Sequence, residues 1–168
     1  AAAYGGIMTG GAIQNNTGHR GAAVNIYSDD RDKRAIFTLE DDGLITRNTG
    51  ISANGNEAGG AVFVEDNAAF HMIGGTVSAN KASKGGGICI VDSALQRGTA
   101  EYGTEFLMDG GVISGNRAGT GGGIYSFSNG SFLRSGKIIN NTATYSGGGL
   151  YSEGKALMVT ALPIYIIP

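Results

Sequence analysis

Residues 108–124 read MDGGVISGNRAGTGGGI, and residues 72–88 read MIGGTVSANKASKGGGI. Both stretches run from a methionine through a glycine pair and an Ile or Val to an asparagine, and then through a glycine triplet to an isoleucine. Residues 8–24 and 133–150 repeat this pattern in outline, and residues 51–62 repeat its second half. Internal repetition with a period of about 20 to 50 residues is typical of stacked repeat units, so these stretches decide the fold.

Two columns set the register of the repeat. The apolar column that follows the glycines advances in steps of 38, 26, 36 and 26 residues, through Val24, Val62, Ile88, Ile124 and Leu150. The predicted asparagine column is Asn16, Asn54, Asn80, Asn116 and Asn141. In the second unit, ITRNTG (45–50) competes with ISANGN (51–56) for the asparagine position. Asn54 is preferred, because it keeps the five-residue distance to the glycines that the first, third and fourth units show.

The repeat predicts an all-β fold, a single-stranded right-handed parallel β-helix (a solenoid) of about five to six coils with two longer loop insertions. A unit of about 26 residues cannot bury an apolar face alone, whereas stacked copies bury each column against the next. The insertions are expected mainly at 27–49 and 92–105. The chain is interpreted as one segment, 1–168, of a longer protein, with coils at roughly 1–27, 37–64, 69–91, 105–128 and 131–154 and a partial coil at 155–168.

Each repeated column has a physical reason. Alternation with a period of two points Val62, Val64 and Ile88 inward and leaves Phe63 and Cys89 outward. An asparagine at a fixed position caps a tight turn and hydrogen-bonds its copies in the coils above and below, which satisfies polar groups inside the stack. Glycine triplets permit positive φ and close approach of neighbouring backbones.

Composition excludes several classes of function. The 168 residues carry a formal net charge of −2, and only 15% of them are charged, so no basic surface for nucleic acid is expected. With a single cysteine, Cys89, no internal disulfide is expected. The longest apolar runs fall short of the roughly 20 residues that a membrane-spanning helix needs.

One string resembles a known family. Asn116-Arg117-Ala118 followed by Gly121-Gly122-Gly123-Ile124-Tyr125 is similar to the repeats of polymorphic membrane proteins and related autotransporter-like bacterial adhesins. That family carries F-x-x-N and G-G-A-I motifs. The resemblance covers most of residues 8–152 and implies a right-handed parallel β-helix at the bacterial cell surface. At the F position this chain has Ile or Val, at Ile13, Ile51, Val77, Ile113 and Ile138.

Chemistry-bearing residues are few. His19 and His71 lack metal-ligand spacing, and no catalytic residue is predicted. Asp66 and Asp92 follow neighbouring strands and should stack about 5 Å apart. Two carboxylates at that distance suggest a weak Ca²⁺ site or, as the lesser alternative, an acid/base pair. Solvated acids at the mouths of surface loops are the plainer interpretation, and apart from Ca²⁺ no cofactor is expected.

An outward column offers a second candidate site. It runs through Asn25, Phe63, Cys89, Tyr125 and Tyr151. Phe63, Tyr125 and Tyr151 would form a binding face, either stacking on sugar rings or docking a partner protein. The alternative is ordinary aromatic stacking between strands. Cys89 should be exposed in this column and available for an intermolecular disulfide.

Two classes of function remain. The first is an extracellular structural or adhesive segment for cell-surface display, for adhesion to a carbohydrate or protein, or for end-to-end filament assembly through the exposed edges of a rod. Near-neutral charge and repetition favour this class. The alternative is a carbohydrate-active β-helix enzyme, of the polysaccharide lyase or glycoside hydrolase type, or a carbohydrate-binding module. An enzyme would need carboxylates with a basic or histidine partner over one sheet.

Overall fold

A computed structural model describes residues 2–30, 32–51, 59–92, 103–128, 130–153, 157–159 and 164–167. Within these ranges every regular element is a β-strand, which confirms the predicted all-β class. The strands are β1 (Ala2–Met8), β2 (Ala12–Gln14), β3 (Thr17–Gly18), β4 (Val24–Ile26), β5 (Lys33–Leu39), β6 (Leu44–Thr46), β7 (Thr49–Gly50), β8 (Val62–Glu65), β9 (Ala68–Met72), β10 (Thr76–Ser78), β11 (Ile88–Val91), β12 (Glu105–Ser114), β13 (Arg117–Thr120), β14 (Ile124–Phe127), β15 (Gly130–Ile139), β16 (Thr142–Ser146), β17 (Leu150–Ser152), β18 (Leu157–Val159) and β19 (Ile164–Ile167).

The strands form two main sheets and two short pairs. The large sheet has the order β1-β5-β9-β12-β10-β6-β2, with β15 beside β12 and with β18 and β19 beside β15. The five-stranded sheet has the order β17-β14-β11-β8-β4. The short pairs are β3 with β7 and β13 with β16. The described strand pairings are all parallel.

The chain visits the sheets in a recurring order, which we call a circuit. A circuit crosses the first arm of the large sheet (β5, for example), then its second arm (β6), then a short strand (β7), and then the five-stranded sheet (β8). The long strands β12 and β15 each span both arms. Parallel pairing joins each strand to its equivalents in the preceding and following circuits.

The predicted core column is paired residue by residue in the five-stranded sheet. Val24 pairs with Val62, Val62 with Ile88, Ile88 with Ile124, and Ile124 with Leu150. The middle three side chains of this column are fully buried, and all five belong to or pack against one core cluster. Burial of this kind contributes roughly 25 cal/mol per Å² of apolar surface.

The large sheet supplies the other walls of the same core. In its first arm the rings of Phe37, Phe70 and Phe106 stack, with centroids 6.2 Å and 5.7 Å apart. In its second arm, residues of neighbouring circuits pair through Ile13, Ile45, Val77, Ile113 and Ile138. The apolar columns therefore lie over their copies from one circuit to the next.

One predicted insertion is only partly right. Residues 27–49 were expected to hold an insertion, but β5, β6 and the start of β7 occupy 33–39, 44–46 and 49. The stretch lacks a glycine motif, yet Ala35, Phe37 and Leu39 alternate as a strand requires and pair with Ala68, Phe70 and Met72. Five surplus residues of this circuit do precede β5, since 11 residues separate Val24 from Ala35 whereas six separate Val62 from Ala68. Six more lie between Thr46 and Val62, which are 16 residues apart against 10 from Ser78 to Ile88. Most of the other predicted insertion, 92–105, falls outside the described residues.

Candidate functional site

The asparagine column forms a continuous hydrogen-bonded ladder. Asn48 donates its backbone N–H and its side-chain amide to Asn80 Oδ1, at 2.9 and 3.1 Å. Asn80 makes the same two bonds to Asn116 Oδ1, both at 3.0 Å. The pattern extends from Asn16 to Asn48 and from Asn116 to Asn141. Each inner amide also donates backward to a carbonyl, as Asn80 does to Ile45 O at 3.1 Å.

The second member of the ladder is Asn48, and the prediction of Asn54 was wrong. Asn54 lies outside the described residues, whereas Asn48 bonds to both neighbours in the ladder. Ile45 occupies the matching core position, fully buried, while Ile51 is 42% exposed. We attribute the choice of Asn48 over Asn54 to the residue two places after the asparagine.

That position admits only small side chains. A Cβ at Gly50 would lie 3.0 Å from Ala82 Cβ and 2.5 Å from Gly59 O. The equivalent residues are Gly18, Gly50, Ala82, Ala118 and Ala143. Asn48 is followed at this distance by Gly50, but Asn54 is followed by Asn56, whose side chain is too large for the space.

The residue before each ladder asparagine has a left-handed backbone. The φ angles fall between 53° and 62° at Asn15, Arg47, Ala79, Gly115 and Asn140. Glycine and asparagine adopt this conformation most readily. Arg47 and Ala79 are neither, so the ladder bonds made by the next residue must hold their backbones in place.

The predicted aromatic binding face is largely buried. Phe63, Cys89 and Tyr125 are 6%, 2% and 5% exposed, which contradicts the expected exposure of this column. Tyr151 is half-buried, and its ring stacks on Tyr125 at 5.5 Å. The alternative interpretation, aromatic stacking between strands, describes the geometry.

Glycine turns lie beside this column. The glycine four residues before each outward side chain lies against it, and a Cβ at Gly59 would overlap the ring of Phe63. A Cβ at Gly85 would lie 2.9 Å from Cys89 Cα, and one at Gly121 would lie 2.9 Å from Tyr125 Cα. The turn that enters each strand therefore packs close to the strand's own outward residue.

Burial changes the chemistry of this column. It raises the pKa of the Cys89 thiol to about 12, so the reactive thiolate is scarce at neutral pH. Burial, together with the hydrogen bond from Tyr125 Oη to Glu153 Oε2 at 2.8 Å, also raises the pKa of Tyr125. Lys84 Nζ lies 5.0 Å from the centroid of the Tyr125 ring, a cation–π distance.

Asp66 and Asp92 follow a matched pair of strand residues, Glu65 and Val91. Asp92 is buried, and Asp66 is half-buried. Their main chains continue the parallel bonding, since Ser28 N–H donates to Asp66 O at 3.0 Å. Among the described residues no group of three or more His, Cys, Asp or Glu side chains is placed to hold a metal ion. The weak Ca²⁺ site therefore stays a hypothesis.

The structure brings together a charged cluster that sequence reasoning missed. On the outer face of the first arm, Glu105 Oε1 lies 2.9 Å from His71 Nε2, and Glu105 Oε2 lies 3.3 Å from Arg34 Nη1. Arg34 also donates to Gly103 O at 3.0 Å. The hydrogen bond with His71 and the nearby Arg34 charge lower the pKa of Glu105 against the opposing effect of its burial.

This Arg34–His71–Glu105 cluster spans three circuits through β5, β9 and β12. Pairing of Glu105 with Ala69 places His71 two residues along the neighbouring strand. No local motif indicates the cluster, because its register depends on the lengths of the intervening turns. The other histidine, His19, is exposed on the first circuit.

Two buried polar atoms beside the cluster lack a hydrogen-bond partner. They are Arg34 Nε, a donor, and Asn67 Oδ1, an acceptor. Ala35 pairs with Ala68, so Arg34 and Asn67 occupy adjacent register positions.

Comparison with known proteins found no family model that matches the chain. No curated protein and no solved structure matches it either. Within the described residues, no helix is long and apolar enough to cross a membrane. Inferences about function therefore depend on the residues themselves.

Proposed function

We propose that this chain is a segment of a right-handed parallel β-helix that acts as a rigid rod at the surface of a bacterial cell. The observation that carries the proposal is the asparagine ladder, which joins five successive circuits through equivalent bonds. A hydrogen-bonded column inside a stack resists bending and shear between circuits. The right hand follows from the strong preference of parallel crossover connections.

The similarity of the Asn116–Tyr125 string to adhesin repeats supports the extracellular assignment. In this proposal the rod displays loops at the corners of its circuits to a surface carbohydrate or to a partner protein. End-to-end stacking of a second copy is the self-association variant, since parallel circuits present unpaired strand edges. Because Phe63 and Tyr125 are buried, this proposal assigns binding to the loops and not to these two rings.

Duplication of one circuit tests the rod. Residues 69–104 carry the chain from Ala69 to the residue before its register partner Glu105, and inserting a second copy should lengthen the particle by about 4.8 Å at constant cross-section. Solution X-ray scattering measures both dimensions. An insert of the same residues in scrambled order is the control. Growth in cross-section with no growth in length would contradict the proposed β-helix.

Adhesion is tested with coated beads. Beads carrying the folded chain are exposed to an array of neutral and acidic oligosaccharides and to a layer of cultured epithelial cells. We expect retention on at least one surface, and loss of retention with the ladder variant N80A/N116A. Light scattering at rising protein concentration tests stacking. Beads that fail on both surfaces, with monomers throughout the scattering series, would remove the adhesive and filament roles.

A carbohydrate-active enzyme is the second candidate, and the Arg34–His71–Glu105 cluster favours it. A carboxylate hydrogen-bonded to an imidazole and close to a guanidinium is a combination suited to acid/base chemistry. The test is release of reducing or unsaturated ends from pectins and other uronides by the wild type, E105Q and H71A. Product formation that both variants abolish would support catalysis. Absence of product from the wild type would dismiss it.

The Ca²⁺ hypothesis has a separate test. Calorimetric titration of the wild type with CaCl₂ should show uptake that the variant D66N/D92N lacks. Both substitutions keep the side-chain shape and remove the charge. Equal heats in the two proteins would exclude Asp66 and Asp92 as ligands.

A further inference from the structure

Residues 45–56 carry two copies of one short pattern, six residues apart. The first is Ile-Thr-Arg-Asn at 45–48, and the second is Ile-Ser-Ala-Asn at 51–54. The second copy matches Val-Ser-Ala-Asn (77–80), which the following circuit places in the ladder, at three of four residues. Among the described residues the first copy occupies the ladder, through Asn48, with Ile45 buried, while Ile51 lies 42% exposed.

The spacing to the next glycines fits the second copy better. Asn80 and Asn116 each precede their glycine triplet by five residues, and Asn54 precedes Gly59 by the same distance. From Asn48 to Gly59 the distance is eleven residues. Placing the second copy in the ladder would move six surplus residues from the turn before β8 to the turn after β5.

The small-residue position two places after the asparagine opposes this shift. Gly50 fills it in the first frame, where a Cβ would already lie 3.0 Å from Ala82 Cβ. In the second frame Asn56 would fall there. The Asn56 side chain would have to displace Ala82. Its amide would also lose its hydrogen bonds to water in a site lined by alanine and glycine, which is unfavourable.

We propose that residues 45–56 encode two alternative frames for one circuit, and that the residue two places after the ladder asparagine selects between them. Gly50 and Asn56 together select the first frame in this protein. The second frame would present the six-residue insertion at the corner between the two arms of the large sheet. This inference rests on the ladder and its packing, and it does not depend on the proposed surface role.

The test exchanges the two selecting residues in the variant G50N/N56G. Single reporter thiols, I45C or I51C, are placed in the wild type and in the exchanged chain, and alkylation by iodoacetamide is mapped by mass spectrometry. Native Cys89 remains in every protein as the reporter of a folded core, because it is 2% exposed.

In the wild-type frame we expect the thiol at position 51 to react, and the thiol at position 45 to react at least about tenfold more slowly. In G50N/N56G we expect the order to reverse while Cys89 stays protected. N48A should then become nearly neutral and N54A destabilising, the opposite of their effects in the wild type. An unchanged labelling order in the exchanged chain would overturn the proposal, and so would a reactive Cys89, because the second frame is required to restore the fold.

Discussion

Asn80 bonds to both neighbouring circuits at once. Its amide donates forward to Asn116 Oδ1 and backward to Ile45 O, and its Oδ1 accepts two bonds from Asn48. Both amide donors and both acceptor positions are used inside a buried stack. Aspartate would lose the donors, and a hydrophobic residue would leave the neighbours without partners, so the ladder specifies asparagine chemically.

We expect Asn80→Ala to lower the free energy of unfolding by about 3 kcal/mol. The N–H and side-chain amide of Asn48 would lose their acceptor, and Ile45 O would lose its donor, all in buried surroundings. Urea denaturation measures the loss. Asn16→Ala is the matched control, because Asn16 is exposed at the end of the ladder and its loss should cost much less. Equal losses would contradict the role assigned to buried amides.

The left-handed position before the ladder gives a second residue-scale prediction. Ala79 has φ 53°, and the equivalent Gly115 has φ 62°. A methyl group added at Gly115 would meet only Ala79 N, at 3.9 Å, so space does not oppose it. We expect Ala79→Gly to stabilise the protein and Gly115→Ala to destabilise it, each by about 1 kcal/mol, since alanine is strained by that amount in this conformation. Changes of the same sign in urea denaturation would refute the conformational explanation.

Sequence spacing locates most of the ladder. Asn16, Asn80, Asn116 and Asn141 follow from it, because each lies three residues after an Ile or Val and, except for Asn141, five residues before its glycines. Spacing alone does not locate the second member of the ladder. The distance to Gly59 favours Asn54, whereas the small residue at position 50 favours Asn48. Steric fit against the next circuit decides that case, and it is visible only once neighbouring backbones are placed.

At the scale of the strand, alternation predicts which side chains face the core but not which are exposed. Val62 and Ile88 face the core, and Phe63 and Cys89 face away from it, as the period of two requires. The outward pair is nevertheless buried, and a glycine turn packs beside each of the two strands at its start. The alternation of side chains along a strand does not indicate how the preceding turn packs against it.

Gly121→Ala tests these turns. Gly121 has φ 65°, and a Cβ there would overlap the carbonyl oxygen of Ile124. We expect the substitution to lower the free energy of unfolding by at least about 2 kcal/mol, because backbone strain and a backbone clash both oppose it. Gly10→Ala is the control, as a Cβ at Gly10 meets nothing within 4 Å. If thermal and urea melts of the two variants coincide, the turns do not need glycine for space.

The Arg34–His71–Glu105 cluster links strands β5, β9 and β12, and it makes stability depend on pH. The hydrogen bond with His71 and the charge of Arg34 hold the pKa of Glu105 below its ordinary value. A carboxyl group with a lowered folded-state pKa stabilises the fold above its unfolded pKa, about 4.3, and loses that effect as pH falls through the folded value.

We therefore expect the wild type to exceed Glu105→Gln in stability near pH 6, and the difference to shrink as the pH falls below about 4. Urea midpoints at a series of pH values measure this difference. Asp109→Asn is a useful comparison, because Asp109 forms a more exposed pair with Arg134 at 3.4 Å. A difference for Glu105→Gln that does not vary with pH would mean that His71 and Arg34 do not stabilise its carboxylate.

At the scale of the whole molecule, one apolar core cluster runs through successive circuits, and every pairing between the described strands joins neighbouring circuits. Stability in such an array is the sum of the circuits' own terms and of the interfaces between them. The inner circuits have two interfaces, so they should open last. Cys89 lies in β11, between β8 and β14, and so reports on this inner part.

Alkylation of Cys89 should therefore follow opening of the inner circuits. The thiol is 2% exposed, and burial raises its pKa to about 12. In native buffer the reagent therefore has little access to the sulfur, and very little of the thiol is ionised. We expect its labelling by iodoacetamide to be negligible without denaturant and to rise along the urea unfolding curve. An added thiol in S152C, at an exposed position in the last strand of the five-stranded sheet, should label at once. Labelling of Cys89 at the rate of that exposed thiol would mean that the inner circuits open independently of global unfolding. It would also make the intermolecular disulfide through Cys89 a live hypothesis again, which its burial argues against.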